Sequence, residues 1–118
     1  MIRLSDTNRW LGLYEEGIQQ AREGLEIYKQ LGDVVGQADS LNTLAYVLYR
    51  DGQLDAAENA AFHAIDLVPE KGEEFLVCKS YRSLGLIYQC KGHKEEAIYY
   101  HKTSISIASR FKWHDQLF

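Results

Sequence analysis

The stretch YRSLGLIY, residues 81–88, decides how the whole chain is read. Tyr81, Leu84 and Tyr88 recur at i, i+3 and i+7, the spacing of one helical face. Gly85 interrupts that face, although glycine inside a helix costs about 1 kcal/mol relative to alanine. The gain that offsets this is steric: a bare backbone lets a neighbouring helix come close, and a large side chain opposite fills the notch. The role predicted for Gly85 is interhelical packing, not chemistry.

Working outward, the chain superimposes on itself without a gap at a shift of 40 residues. Gly12, Gly52 and Gly92 coincide, inside the aligned segments LGLYEEGIQQA, DGQLDAAENAA and KGHKEEAIYYH. Leu25, Ile65 and Ile105 match, as do Ile27, Leu67 and Ile107. Small residues match as well: Gly17, Ala57 and Ala97, then Gly24, Ala64 and Ser104. In the other half of the period Ser40 meets Ser80, Leu44 meets Leu84, Ala45 meets Gly85 and Val47 meets Ile87. A fixed period between about 20 and 50 residues signals stacked supersecondary units. Each period holds two helical patterns, predicted at Tyr14–Leu31, Val34–Arg50, Leu54–Leu67, Glu73–Cys90 and His93–Arg110. A partial helix is expected before Gly12 and another from about Trp113. Turns are expected at Gly12, Gly52 and Gly92, where glycine accepts positive φ after a helix C-terminus. Leu31-Gly32-Asp33 makes the intervening break, and Pro69, lacking an N–H, stops the helix ending at Leu67. The expected fold is all-α, one repeat domain spanning residues 1–118 and belonging to a longer protein.

Bulk properties exclude several function classes. A net charge of −4 lacks the basic footprint of a nucleic-acid binder. No apolar run approaches the roughly 20 residues of a membrane span, and MIRLSDTNRW has no signal-peptide core. A cytoplasmic protein without membrane or nucleic-acid partners is expected. Cys78 and Cys90 fall twelve residues apart on one helix, about 18 Å, too far for a disulfide between them. They read as free thiols packed in or near a core.

The residues at these registers resemble the tetratricopeptide repeat, whose pattern is W-x2-L-G-x2-Y, then Gly, then A-x3-F, A and P. Tyr81, Leu84, Gly85, Tyr88, Gly92 and Ala97 fall on successive positions. So do Leu41, Leu44, Ala45, Leu48, Gly52, Ala57, Ala61, Ala64 and Pro69 one unit earlier, and Gly12, Tyr14 and Gly17 before them. His101 replaces the large aromatic, Ser109 replaces proline, and the period is longer than 34. The chain is therefore similar to the long-period repeats of kinesin light chains and G-protein-signalling adaptors. AIDLVPEKGEEFLVCKSYRSLGLIY and IASRFKWHDQLF also resemble the C-terminal repeats of fungal NLR-like (NB-ARC/NACHT) proteins. No phosphate-binding GxxxxGK[ST] loop occurs here, so any NTPase activity would lie elsewhere in such a parent.

The resemblance implies a right-handed α-solenoid of antiparallel helix pairs, with the first helix of each pair lining a concave groove. That places Asp39, Asn42, Tyr46, Tyr49 and Arg50 on the groove from one unit and Lys79, Arg82, Leu86 and Gln89 from the next. Tyrosine and arginine are frequent binding anchors, so the implied function is protein–protein interaction: a peptide or partner helix, with an acidic group near Lys79 and Arg82. The carboxylate clamp of chaperone-binding relatives is not matched. Lys79 occupies one clamp position, but Thr43 and Ser83 stand where asparagine and arginine are expected, with Asn42 and Arg82 one residue off. Neither an enzyme nor a metal or cofactor site is expected. No GxSxG motif appears, Cys90-x2-His93 has no second ligand pair, and Glu15-Glu16, Glu73-Glu74 and Glu95-Glu96 suit helix N-termini. Repeat stacks need polar caps. Here WHDQLF starts a further helix and Ile2, Leu4 and Trp10 are the apolar members of a shortened first one, so self-association is expected. The alternative function is assembly of a parent protein with no dedicated peptide ligand.

Overall fold

A computed structural model describes the backbone over residues 4–68 and 74–111 and the side chains over 13–68 and 74–110. Five helices follow one another: α1 (Leu4–Leu31), α2 (Val34–Arg50), α3 (Leu54–Leu67), α4 (Glu74–Lys91) and α5 (Lys94–Phe111). Among the described residues there is no strand. Each helix packs on the next, and α2 also touches α4. The result is an all-α repeat solenoid of two helix pairs, α2–α3 and α4–α5, preceded by α1. The expectations for Ile2, Pro69 and Trp113 onward, and for the side chains of Leu4 and Trp10, lie outside the described residues.

The turns follow local chemistry. Gly32, Gly52 and Gly92 take φ of 71°, 85° and 82°, the left-handed conformation that glycine adopts without steric cost. After Gly32, Asp33 caps α2, its carboxylate accepting from the Gly36 N–H at 2.9 Å. α3 ends in extended backbone at Val68, as a residue before proline prefers. Gly12 is a correction: the expected turn is absent and α1 runs through it to Leu31. Glycine permits a left-handed turn without compelling one. Gly52 lies between Asp51 and Gln53 and Gly92 between Lys91 and His93, whereas Gly12 lies between two leucines that favour continued helix.

Small residues close the stack. Ala38, Ala45, Ala57, Ala61 and Ala64 are completely buried, so small side chains line the packed faces of α2 and α3. One period later the same registers hold Gly85 and His101. A Cβ on Gly85 would lie 2.6 Å from the His101 ring, so the imidazole fills the notch left by the missing side chain. The departure of His101 from the repeat pattern and the glycine in YRSLGLIY are thus one packing solution. Gly17 serves Val47 in the same way, 3.2 Å from its nearest methyl, and Gly36 seats the Tyr28 ring. Between α4 and α5, the Cys78 thiol donates to the Ser104 carbonyl and the Ser104 hydroxyl to the Cys78 carbonyl, both at 3.1 Å. Both cysteines are free; Cys78 is buried, but Cys90 is exposed, contrary to the expectation that both pack in or near a core. Twelve residues along a helix turn a side chain by about 120°, so the two thiols leave α4 on different faces.

Candidate partner-binding groove

α2 and α4 lie side by side because Asn42 joins them. Its amide donates to the Leu76 carbonyl at 3.1 Å, and its oxygen accepts from the Ser80 hydroxyl at 2.5 Å. Asn42 is buried and both ends of its amide are engaged, so this residue fixes the two groove helices to each other. Beside it opens a recess of about 350 Å³ lined by Asn42, Thr43, Tyr46, Phe75, Lys79, Arg82 and Ser83. Four of the nine expected groove residues, Asn42, Tyr46, Lys79 and Arg82, therefore meet at one place.

Two aromatic rings and two cations shape the recess. Tyr46 is 42% exposed, and the Lys79 ammonium stands over the Phe75 ring at 5.5 Å from its centroid. Lys79 also approaches Asp39 at 3.9 Å, an exposed pair of little strength that a ligand carboxylate can compete with. Two aromatic rings beside two cations, above the buried polar side chains of Asn42 and Ser83, suit an acidic group carried on an apolar side chain or backbone. Thr43, Phe75 and Ser83 were missed as lining residues. Phe75 was findable: 75, 79, 82, 86 and 89 form one continuous helical stripe, and the groove face stops at Lys79 only if it is not extended back one turn.

The remaining expected residues sit beyond the recess. Leu86 is half-buried and Gln89 exposed, further along the same α4 stripe. Tyr49 packs its ring 6.1 Å from that of Tyr46, and burial first, then the adjacent Cys90 thiol, pushes its hydroxyl pKa up. The Arg50 pKa is raised, first by the Tyr14 side chain of α1, so Arg50 stands beside α1. Asp39, Tyr49, Arg50, Leu86 and Gln89 do not line the recess.

The opposite flank is held by a second polar clasp. Lys91 donates to Asp55 at 2.6 Å and to Glu58 at 2.7 Å, and the Tyr88 hydroxyl donates to Glu58. Burial alone would raise the Glu58 pKa, but these two hydrogen bonds outweigh it and hold the carboxyl below its usual range. Burial, followed by the Glu58 hydrogen bond, pushes Tyr88 up to about 12. Tyr100 inserts between Tyr81 and Tyr88, stacked at 5.8 Å and 5.4 Å, with Phe62 edge-on at 6.2 Å. The paired tyrosines of YRSLGLIY thus clamp a ring from α5 against α3.

Paired helices, alanine-closed crossings and glycine turns agree with a match over residues 1–70, more than half of the chain, to the family described as Tetratricopeptide repeat. The chain belongs to the tetratricopeptide repeat family. No curated protein and no solved structure matches it significantly. Tetratricopeptide repeats are a non-catalytic repeat type that generally mediates protein–protein interaction. Among the described residues no group of three or more His, Cys, Asp or Glu side chains could hold a metal ion. His93 stacks on Tyr88 and His101 fills the Gly85 notch, so the two histidines of α5 and its leading turn are accounted for by packing. No helix among the described residues is long and apolar enough to cross a membrane.

Proposed function

We propose that this repeat array is the partner-binding part of a larger cytoplasmic signalling protein, an adaptor or a sensor, with no catalytic role of its own. It holds an extended or helical peptide segment across the α2–α4 face, with an acidic group of the peptide beside Lys79 and Arg82. The observation that carries this reading is the recess in which Tyr46, Phe75, Lys79 and Arg82 converge. Aromatic area supplies affinity there, and the two cations supply specificity for negative charge. A parent built like the fungal NLR-like proteins would use the groove as its sensing end.

The test is titration of the chain against an array of labelled acidic peptides, followed by the best binder against two variants. Arg82→Glu is expected to weaken binding at least tenfold and Tyr46→Ala several-fold, and added salt to weaken the wild type. Wild-type affinity in both variants would remove the recess as the binding site. A second reading, in which the repeats assemble copies of their parent, is favoured by the apolar side chains exposed on α1 and α5, among them Leu13, Ile27, Leu31, Ile98, Tyr99 and Ile105.

A further inference from the structure

The α2–α4 recess holds a side chain whose chemistry the groove reading leaves unused. Ser83 lines it and is only 7% exposed. A serine or threonine inside a helix can return its hydroxyl to the carbonyl four residues back. Thr43, Ser80 and Thr103 all do so, at 3.2, 3.0 and 2.8 Å. Ser83 does not: among the described residues its hydroxyl has no hydrogen-bond partner. No fully buried side-chain nitrogen or oxygen there lacks a partner, so the Ser83 oxygen opens into the recess. A hydroxyl so placed is a donor and an acceptor held for an incoming group. The recess is not an end surface: α2 packs on α1 and α3, and α4 on α3 and α5, so both walls lie inside the stack.

Its surroundings define the ligand. Deep in the recess are the neutral groups of Ser83 and Asn42, and the Asn42 amide is already engaged with Leu76 and Ser80. The walls include the flat rings of Tyr46 and Phe75, which pair favourably with a further ring. Positive charge stands higher, since the Lys79 side chain is 41% exposed and its ammonium lies over the Phe75 ring. A volume of about 350 Å³ admits a whole aromatic side chain. An ionised tip would lose its hydration against the neutral floor, so the acid of the ligand belongs at the rim beside Lys79. What suits the floor is a ring with an uncharged hydroxyl at its end.

We propose that the recess takes a tyrosine side chain of the partner peptide, its phenol hydroxyl bonded to Ser83, with a neighbouring carboxylate of the peptide at Lys79. This rests on the groove reading above and names the residue on which the groove anchors. Phenylalanine fills the same space but leaves the Ser83 hydroxyl dry and unpaired, which is how a polar pocket rejects an analogue lacking the hydroxyl.

Two degenerate peptide pools, identical except for tyrosine or phenylalanine fixed between two glutamates, test it by fluorescence anisotropy on the full chain. The wild type is expected to prefer the tyrosine pool about three- to tenfold, the worth of one hydrogen bond. Ser83→Ala is expected to bind both pools alike. Its urea midpoint is expected to stay unchanged, because the hydroxyl it removes makes no bond in the folded chain. Equal wild-type affinities for the two pools, or a tyrosine preference that survives in Ser83→Ala, would overturn the tyrosine anchor. Tyr46→Ala separates the two levels. If it weakens both pools while the wild type shows no tyrosine preference, the groove stands and its tyrosine anchor falls. If neither pool binds, or Tyr46→Ala binds both like the wild type, the groove reading falls and the anchor with it.

Discussion

Gly85 shows how a single missing side chain is worth its conformational cost. With His101 only 2.6 Å from where a Cβ would stand, Gly85→Ala forces the imidazole outward. The substitution is expected to destabilise by about 1–2 kcal/mol, overpacking outweighing the gain in helix propensity. In a His101→Ala background, which recreates the Ala45–Ala61 pairing, Gly85→Ala should instead stabilise by about 1 kcal/mol. Urea midpoints of the four proteins give the cycle, and an unchanged sign would disprove the notch. Asn42 is the polar counterpart. Asn42→Ala removes both hydrogen bonds that cross the α2–α4 contact, leaving the Ser80 hydroxyl to its second acceptor, the Leu76 carbonyl at 3.0 Å, and is expected to cost about 1 kcal/mol.

At the scale of elements, the joints between helices are chemically distinct. The α1–α2 and α2–α3 contacts are closed by small apolar residues, whereas α3–α4 is closed by the carboxylate–lysine–tyrosine clasp. The clasp makes stability depend on pH in a definite direction. Asp55 and Glu58 titrate below their ordinary values in the folded chain, so their contribution is complete above about pH 5 and disappears as pH falls through and below about 4. Tyr88 is raised to about 12, so its contribution is present below about pH 10 and is lost between there and its folded value. The urea midpoint should therefore fall at both extremes. Glu58→Gln should flatten the acid arm, and an acid arm as steep as that of the wild type would contradict the assignment.

For the whole molecule, a quasi-one-dimensional stack is only as cooperative as its nearest-neighbour interfaces. Tyr100 bridges three helices through Tyr81, Tyr88 and Phe62, which couples the α4–α5 pair to α3. The wild type is expected to unfold in one transition, with helical signal and tyrosine fluorescence coinciding. Tyr100→Ala should lower stability by about 3 kcal/mol and separate the two probes, the last helix pair loosening first. Coincident curves in that variant would place the coupling elsewhere.

The architecture was legible in the sequence because a helix pair that cannot bury its own face must repeat, and repetition is visible without coordinates. The helix bounds from Val34 to Leu67 follow from local signals: the positive-φ glycines, the Asp33 cap and the apolar period. Gly12 marks the edge of that logic, since its register matches Gly52 and Gly92 while its leucine neighbours carry the helix onward. The groove was legible in part. Periodicity assigns a side chain to a face, which is why Tyr46, Lys79 and Arg82 were placed with one another. It does not say what lies opposite, so the hydrogen bonds by which Asn42 joins α2 to α4 could not be read from it. Pairing across helices depends on where two helices touch, a distance that only the packed chain supplies. That is also why His101, read as a departure from the repeat, proved to be the side chain that Gly85 accommodates.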